Sequence, residues 1–149
     1  MNPKCLNKIA VLARKELFSA SESRKRGVHP SVLAYYCKKG LLERVSRGFY
    51  RFANTESDIP QEWQDVVLVA SSVPKGVLCL ITALVYYEMT EEFARDIWIA
   101  VPRNTRSPKR PNTRVVRLSN MTLGVEEVSF GDVRVRMFNR ERTIVDSFR

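Results

Sequence analysis

The sequence has few cysteine and histidine residues. It contains three cysteines and one histidine in 149 residues. Cys5, Cys37 and Cys79 are odd in number and widely spaced, and no CxxC pair occurs, so neither a disulfide framework nor a zinc site is indicated. His29 stands beside Pro30 with no arrangement of Cys, Ser or carboxylates around it, which favours a role at a helix entry over catalysis.

Long apolar runs and cofactor motifs are also missing. No run approaches the ~18–20 apolar residues of a membrane span. Charged residues near the N-terminus interrupt any signal-peptide core, so we expect a cytoplasmic protein without a membrane partner. There is no GxGxxG, GK[ST] or HExxH motif. The acids between residues 53 and 101 lack the spacing of a nuclease metal site. We therefore expect no catalytic residue, cofactor or metal, and no enzymatic activity.

The charge that is present is unevenly distributed. Residues 1–52 hold twelve Lys and Arg against three acids, and this excess of nine equals the net charge of the whole chain. Residues 53–149 hold thirteen basic and thirteen acidic side chains. A positive excess confined to one third of a chain predicts a polyanion partner for that third.

The pattern within this basic third is typical of a winged helix-turn-helix. Apolar residues at spacings of three and four predict a helix over residues 4–17. Ser19 and Ser21 offer N-cap hydroxyls for a short helix over residues 21–26, which Gly27 can end. Pro30 suits the start of the next helix, which stops at Gly40. Two short strands joined across residues 47–48 then predict a β-hairpin, the wing.

Candidate DNA contacts follow from this geometry. In the second helix of the motif, Ser31 and Tyr35 lie near the start and would reach base edges, whereas Lys38 and Lys39 would reach phosphates. The preceding helix would meet the DNA backbone, and Arg47 at the tip of the wing would enter the minor groove. The candidate DNA-binding residues are Arg24, Lys25, Arg26, Ser31, Tyr35, Lys38, Lys39, Arg44, Arg47 and Arg51.

A polar stretch at residues 53–60 marks a domain boundary. We predict a DNA-binding domain over residues 1–54 and a mixed α/β domain over residues 60–149, which makes the fold class α+β. In the second domain we expect a helix over 61–72, a buried helix over 77–89, strands over 96–101, 114–118, 125–130 and 133–138, and a final helix over 139–148. That final helix is expected to turn Ile144, Val145 and Phe148 inward and to pair Arg142 with Asp146. The basic segment 102–117 is open to two readings, an exposed loop with an edge strand or a second polyanion contact.

Three segments of the chain resemble the AbiEi family, the antitoxins of type IV abortive-infection toxin–antitoxin systems. They are GLLERVSRGFYRF at 40–52, CLITALVYYEMT at 79–90 followed by IWIAVP at 97–102, and VRVRMFNRERTIVDSFR at 133–149. Family members usually continue with further helical sequence after the RTIVD-like motif. The chain is therefore expected to hold part or all of the C-terminal antitoxin domain.

The resemblance implies two roles. The winged helix would bind inverted repeats in double-stranded DNA at its own promoter and repress transcription. The C-terminal domain would oppose a nucleotidyltransferase-like toxin without forming a stable complex with it. Two alternatives stay open from the residues alone: a transcriptional regulator whose second domain senses a ligand or dimerises, and a nuclease-like enzyme with a DNA-binding tail.

Overall fold

The computed structural model describes residues 3–73, 75–106 and 109–149. The chain forms two compact units. The N-terminal unit comprises residues 1–58 with 131–133, and the C-terminal unit comprises residues 59–130 with 134–149. Helices and strands occur in both, so the predicted α+β class is confirmed. The functional division into 1–54 and 60–149 stays a prediction. No helix in the described part of the chain is long and apolar enough to cross a membrane.

The described residues of the N-terminal unit form three α-helices, one 3-10 helix and a three-stranded sheet. Its elements are α1 Pro3–Ala10, a 3-10 helix Val11–Arg14, β1 Phe18–Ser19, α2 Ala20–Lys25, α3 Pro30–Lys38, β2 Leu42–Ser46 and β3 Phe49–Phe52. The helix expected over 4–17 therefore ends early, because Lys15 turns to an extended conformation at ψ 135°. The strands lie in the order β1-β3-β2, and both neighbouring pairs are antiparallel.

Local signals account for the boundaries of α2 and α3. The Ser19 Oγ accepts a hydrogen bond from the Glu22 amide at 3.1 Å, and the Glu22 carboxylate accepts one from the Ser19 amide at 2.8 Å. This capping box satisfies two amides that the first turn of α2 leaves unpaired. Pro30 opens α3 without losing a helical hydrogen bond, and Gly40 follows its end at φ +73°.

One apolar core holds these elements together. Its buried members are Ile9, Leu12, Phe18, Val28, Leu33, Tyr36 and Leu42. Val28 fills the turn between α2 and α3, and Leu33 and Tyr36 form the buried stripe of α3, with Cys37 half-buried against the same core. The Phe18 ring stacks on Tyr50 with centroids 6.1 Å apart. The added strand β1, which the sequence pattern did not reveal, thereby packs the wing hairpin onto the core.

The C-terminal unit is built on a five-stranded mixed sheet. Its elements are α4 Gln61–Ser72, β4 Val77–Leu78, α5 Leu80–Tyr86, β5 Ile97–Pro102, β6 Thr113–Leu118, β7 Val125–Phe130, β8 Val133–Phe138 and α6 Arg140–Ser147. The strands lie in the order β6-β5-β4-β8-β7. β5 and β6 are parallel, and β6 forms one edge of the sheet, which agrees with the edge-strand reading of the basic segment.

Two predictions about this unit were wrong. The apolar segment 77–89 is not one helix, because its first residues form β4, which pairs with β5 and β8, before α5 begins at Leu80. The inward face of the final helix also differs from the predicted one. Ile144, Val145 and Phe148 are exposed, and the buried face carries Arg142 and Thr143. Arg142 faces inward because its guanidinium donates hydrogen bonds to the carbonyls of Leu123 and Asn120 at 2.9 and 3.0 Å.

Candidate nucleic-acid interface

The turn between α2 and α3 is short and fixed by backbone hydrogen bonds. The amides of Arg26 and Val28 both donate to the Ser23 carbonyl at 3.0 Å, and Gly27 adopts φ +77° between them. Only glycine enters this left-handed region without strain. The order helix, tight turn, helix and β-hairpin is that of a winged helix-turn-helix.

The outer face of α3 carries the side chains that were predicted to contact bases and phosphates. Ser31, Tyr35, Lys38 and Lys39 are all exposed, while Leu33 and Tyr36 are buried behind them. The Lys39 Nζ lies 5.6 Å from the centroid of the Tyr35 ring, within the range of a cation–π interaction. The two side chains therefore form one connected surface feature.

Ser31 is already engaged in the free protein. The His29 Nδ1 lies 2.8 Å from the Ser31 Oγ and accepts a hydrogen bond from the Ser31 amide at 3.2 Å. His29 is therefore the N-cap of α3, which confirms its predicted role at the helix entry. The sequence signal that locates this N-cap is Pro30, which favours the first helical position and so makes the residue before it the cap.

The wing presents two exposed arginines, Arg44 and Arg47, and one arginine that is ion-paired. The Arg51 Nε lies 2.8 Å from the Glu43 Oε2 across the β2–β3 pair. The hydrogen bond and charge of Arg51 hold the pKa of Glu43 below its ordinary value. Burial raises the pKa of the Cys37 thiol, and the positive charge of Arg44 acts in the opposite direction.

The remaining cations of the motif lack carboxylate partners. Arg24, Lys25 and Arg26 are exposed at the end of α2. Across the described ranges, no ion pair involves these three residues, Lys38, Arg44 or Arg47. Unpaired exposed cations raise the local positive potential and can neutralise phosphates without first breaking an internal contact.

In the C-terminal unit the predicted Arg142–Asp146 ion pair is confirmed. The Arg142 Nε lies 2.7 Å from the Asp146 Oδ2, and both side chains are 7% exposed. In the basic segment, of which residues 107 and 108 lie outside the described residues, Arg114 pairs with Asp96 at 2.7 Å and lies over the Trp98 ring. Among the described residues, no three His, Cys, Asp or Glu side chains group as a metal site would require.

The N-terminal unit thus belongs to the class of winged helix-turn-helix domains. Residues 9–53 match the model of a family described as transcriptional regulator, AbiEi antitoxin, which confirms over that segment the resemblance predicted from the sequence. The match supports a regulator or antitoxin role. The comparison with curated proteins found no match.

Proposed function

We propose that this protein is a DNA-binding autorepressor and antitoxin of a type IV toxin–antitoxin system. One observation carries the DNA-binding part of the proposal. Seven exposed basic residues without a carboxylate partner in the described chain surround the helix-turn-helix and its wing, namely Arg24, Lys25, Arg26, Lys38, Lys39, Arg44 and Arg47. The family match over residues 9–53 supports the regulatory role.

The proposed contacts divide by position on the motif. Tyr35 reads base edges in the major groove, and Lys38 and Lys39 neutralise phosphates. The α2 cations meet the DNA backbone, and Arg47 enters the minor groove at the wing tip. Ser31 and Arg51 stay candidates, but each must exchange an existing contact, to His29 or Glu43, for a contact to DNA. We expect their contribution to affinity to be smaller for that reason.

The test of DNA binding uses the full chain and duplexes from the promoter of its own gene. Fluorescence anisotropy should show tighter binding to a duplex with the inverted repeats than to a scrambled duplex. The variant Lys38→Ala/Lys39→Ala/Arg47→Ala should lose this binding, and the slope of log K against log salt should fall by roughly two to three.

A control variant removes the same amount of charge elsewhere. Arg95, Arg134 and Arg136 are exposed in the C-terminal unit, and their replacement by alanine changes the net charge equally. This variant should bind the operator as the unchanged protein does. Equal losses in both triple variants would show that net charge, and not the winged helix, determines binding.

The antitoxin part of the proposal concerns the C-terminal unit. The family-like segments at 79–90 and 133–149 lie outside residues 9–53 and outside most of the basic surface. The Lys38→Ala/Lys39→Ala/Arg47→Ala variant should therefore still act as an antitoxin. When it is expressed from a foreign promoter in cells that produce a nucleotidyltransferase-like toxin encoded beside the gene, it should restore their growth. A variant that folds, does not bind DNA and does not protect would contradict two independent roles.

A regulator that senses a ligand is the second candidate, because the C-terminal unit contains a cavity of small-molecule size. The nuclease alternative has less support, since the described residues offer no clustered metal ligands.

A further inference from the structure

A cavity of about 490 Å³ opens on the surface of the C-terminal unit. Its walls come from the end of β6, the loop before β7, and α6. Sites for small organic ligands usually have volumes of roughly 300–1,000 Å³. None of the DNA contacts proposed above lies in this cavity.

The lining of the cavity has two chemical parts. Apolar atoms contribute most of the surface, and Leu118, Leu123 and Val145 supply its apolar side chains. Leu123 is 66% exposed and Val145 is 53% exposed, so apolar surface faces solvent here. The polar part is dominated by the exposed arginines Arg103, Arg117 and Arg149.

The charge balance of the cavity is positive. Arg142 also lines it, but its charge is balanced by Asp146 at 2.7 Å. Glu141 is the carboxylate among the lining residues, and three further arginines line the cavity with it. The lining therefore carries an excess of two positive charges once the Arg142–Asp146 pair is set aside.

The walls are held in place before any ligand arrives. Arg142 binds the carbonyls of Leu123 and Asn120, and the Asn139 amide donates to the Gly124 carbonyl at 2.7 Å. The Asn120 Oδ1 accepts from the Leu123 amide at 3.1 Å, and Arg117 donates to the Thr105 carbonyl. A cavity that is already ordered loses little conformational entropy on binding.

We propose that this cavity binds a small amphipathic organic anion, with its apolar body on Leu118, Leu123 and Val145 and its anionic group at Arg103, Arg117 and Arg149. The guanidinium group suits carboxylate, sulfonate and phosphate alike, because it donates two parallel hydrogen bonds. We expect the ligands of this cavity to have an apolar body of about two fused rings and one anionic group, whichever of the three that group is. The volume accommodates such a body.

The first experiment compares two fluorescent probes with the full chain. 1-Anilinonaphthalene-8-sulfonate has a fused apolar body and an anionic group, and N-phenyl-1-naphthylamine has a similar body without the charge. The sulfonate should bind at one site, at least ~10-fold more tightly than the neutral amine, because charge-assisted hydrogen bonds to guanidinium are strong. Equal affinities, or several weak sites, would overturn the proposal.

Variants then locate the site. Arg103→Gln/Arg117→Gln/Arg149→Gln should weaken the sulfonate at least ~10-fold and leave the amine unchanged, since it removes the guanidinium groups and keeps the apolar wall. The same variant also loses the Arg117 contact to the Thr105 carbonyl and the Arg149 contact to Asp146, so its unfolding transition is measured beside the affinities. Val145→Glu should weaken both probes, because it places a carboxylate on the apolar wall. Arg95→Ala/Arg134→Ala/Arg136→Ala removes three exposed charges that do not line the cavity and should change neither. Unchanged sulfonate binding in the glutamine variant, with a native unfolding transition, would refute the assignment.

Displacement identifies the anionic group. 1-Naphthoate and 1-naphthyl phosphate should each displace the sulfonate probe, and their relative affinities distinguish a carboxylate from a phosphate ligand. In NMR spectra, the amide chemical shifts of Leu123 and Gly124 should change when either competitor is added. Failure of both competitors to displace the probe or to shift these amides would contradict the site, and none of these results depends on DNA binding.

Discussion

Arg142 and Asp146 form a buried ion pair one helical turn apart, and the same guanidinium also holds two carbonyls of the loop before β7. Removal of one partner leaves a buried charge, which costs about 3–5 kcal/mol. Arg142→Leu should therefore destabilise the C-terminal unit strongly. The double variant Arg142→Leu/Asp146→Leu should lose less than the sum of the two single variants.

Urea unfolding followed by tryptophan fluorescence measures this effect. Trp63 and Trp98 both lie in the C-terminal unit, so their emission reports on that unit. Additive losses in the double variant would show that the two residues act independently.

Gly124 is required for both its backbone angle and its lack of a side chain. It adopts φ +73°, and a Cβ at this position would lie 2.8 Å from the Arg142 Cβ. Gly40 has the same φ but nothing within 4 Å of its Cβ position, so Gly40→Ala is a matched control for the backbone term. We expect Gly40→Ala to cost about 1 kcal/mol and Gly124→Ala about 1–3 kcal/mol more. Equal losses in calorimetry would contradict the steric argument.

The capping box of α2 makes the N-terminal unit sensitive to acid. Burial acts to raise the pKa of Glu22, but the Lys15 and Ser19 contacts together outweigh it and leave the pKa below 4.5. A carboxyl whose folded pKa is lowered stabilises the fold at higher pH and loses that contribution as pH falls through 4.5 and below.

Ser19→Ala should cost about 1 kcal/mol at pH 7. Glu22→Gln should reduce the loss of stability between pH 7 and pH 3.5, measured by circular dichroism in urea. Glu62→Gln, in the C-terminal unit, serves as the charge control. An unchanged pH profile in Glu22→Gln would contradict the role of this carboxyl.

Alanine substitutions at Tyr35 and at Lys39 are predicted to weaken DNA binding in different ways. Tyr35→Ala should reduce discrimination between specific and random duplexes, while Lys39→Ala should weaken both and lower the salt slope by roughly one. Because the two side chains touch, the double variant should deviate from additivity by about 0.5–1 kcal/mol. Identical salt profiles for the two single variants would refute the division of roles.

Cys79 should resist modification in the folded protein. Burial raises the pKa of its thiol to about 12, and the Asp146 charge acts in the same direction. A disulfide reagent at pH 8 should therefore modify Cys79 only after unfolding. Cys79→Ser should remove that slow phase from the reaction, and a rapid reaction of Cys79 in the native state would contradict its burial.

The limits of sequence reasoning follow from the range of the interactions. The boundaries of α2, α3 and the wing could be predicted because caps, Pro30 and the Arg47–Gly48 turn are local signals. The inward face of α6 could not, because the acceptors of Arg142 lie 19 and 22 residues earlier in the chain. Likewise, β4 forms a strand only because β5 and β8 supply its partners. The cavity depends on the same distant contacts, so no sequence pattern revealed it.

The attachment of the wing has a mechanical consequence. β3 pairs with β1 as well as with β2, and the Ala20 amide, at the start of α2, donates to the Gly48 carbonyl at 2.8 Å. The hairpin is therefore braced against the helices and does not swing as an independent arm. Under the proposed function, the N-terminal unit keeps its conformation on binding, so the DNA duplex must deform to fit both α3 and the wing. Operators would then be preferred partly for flexible pyrimidine–purine steps between the α3 and wing contacts, at base pairs that no side chain touches.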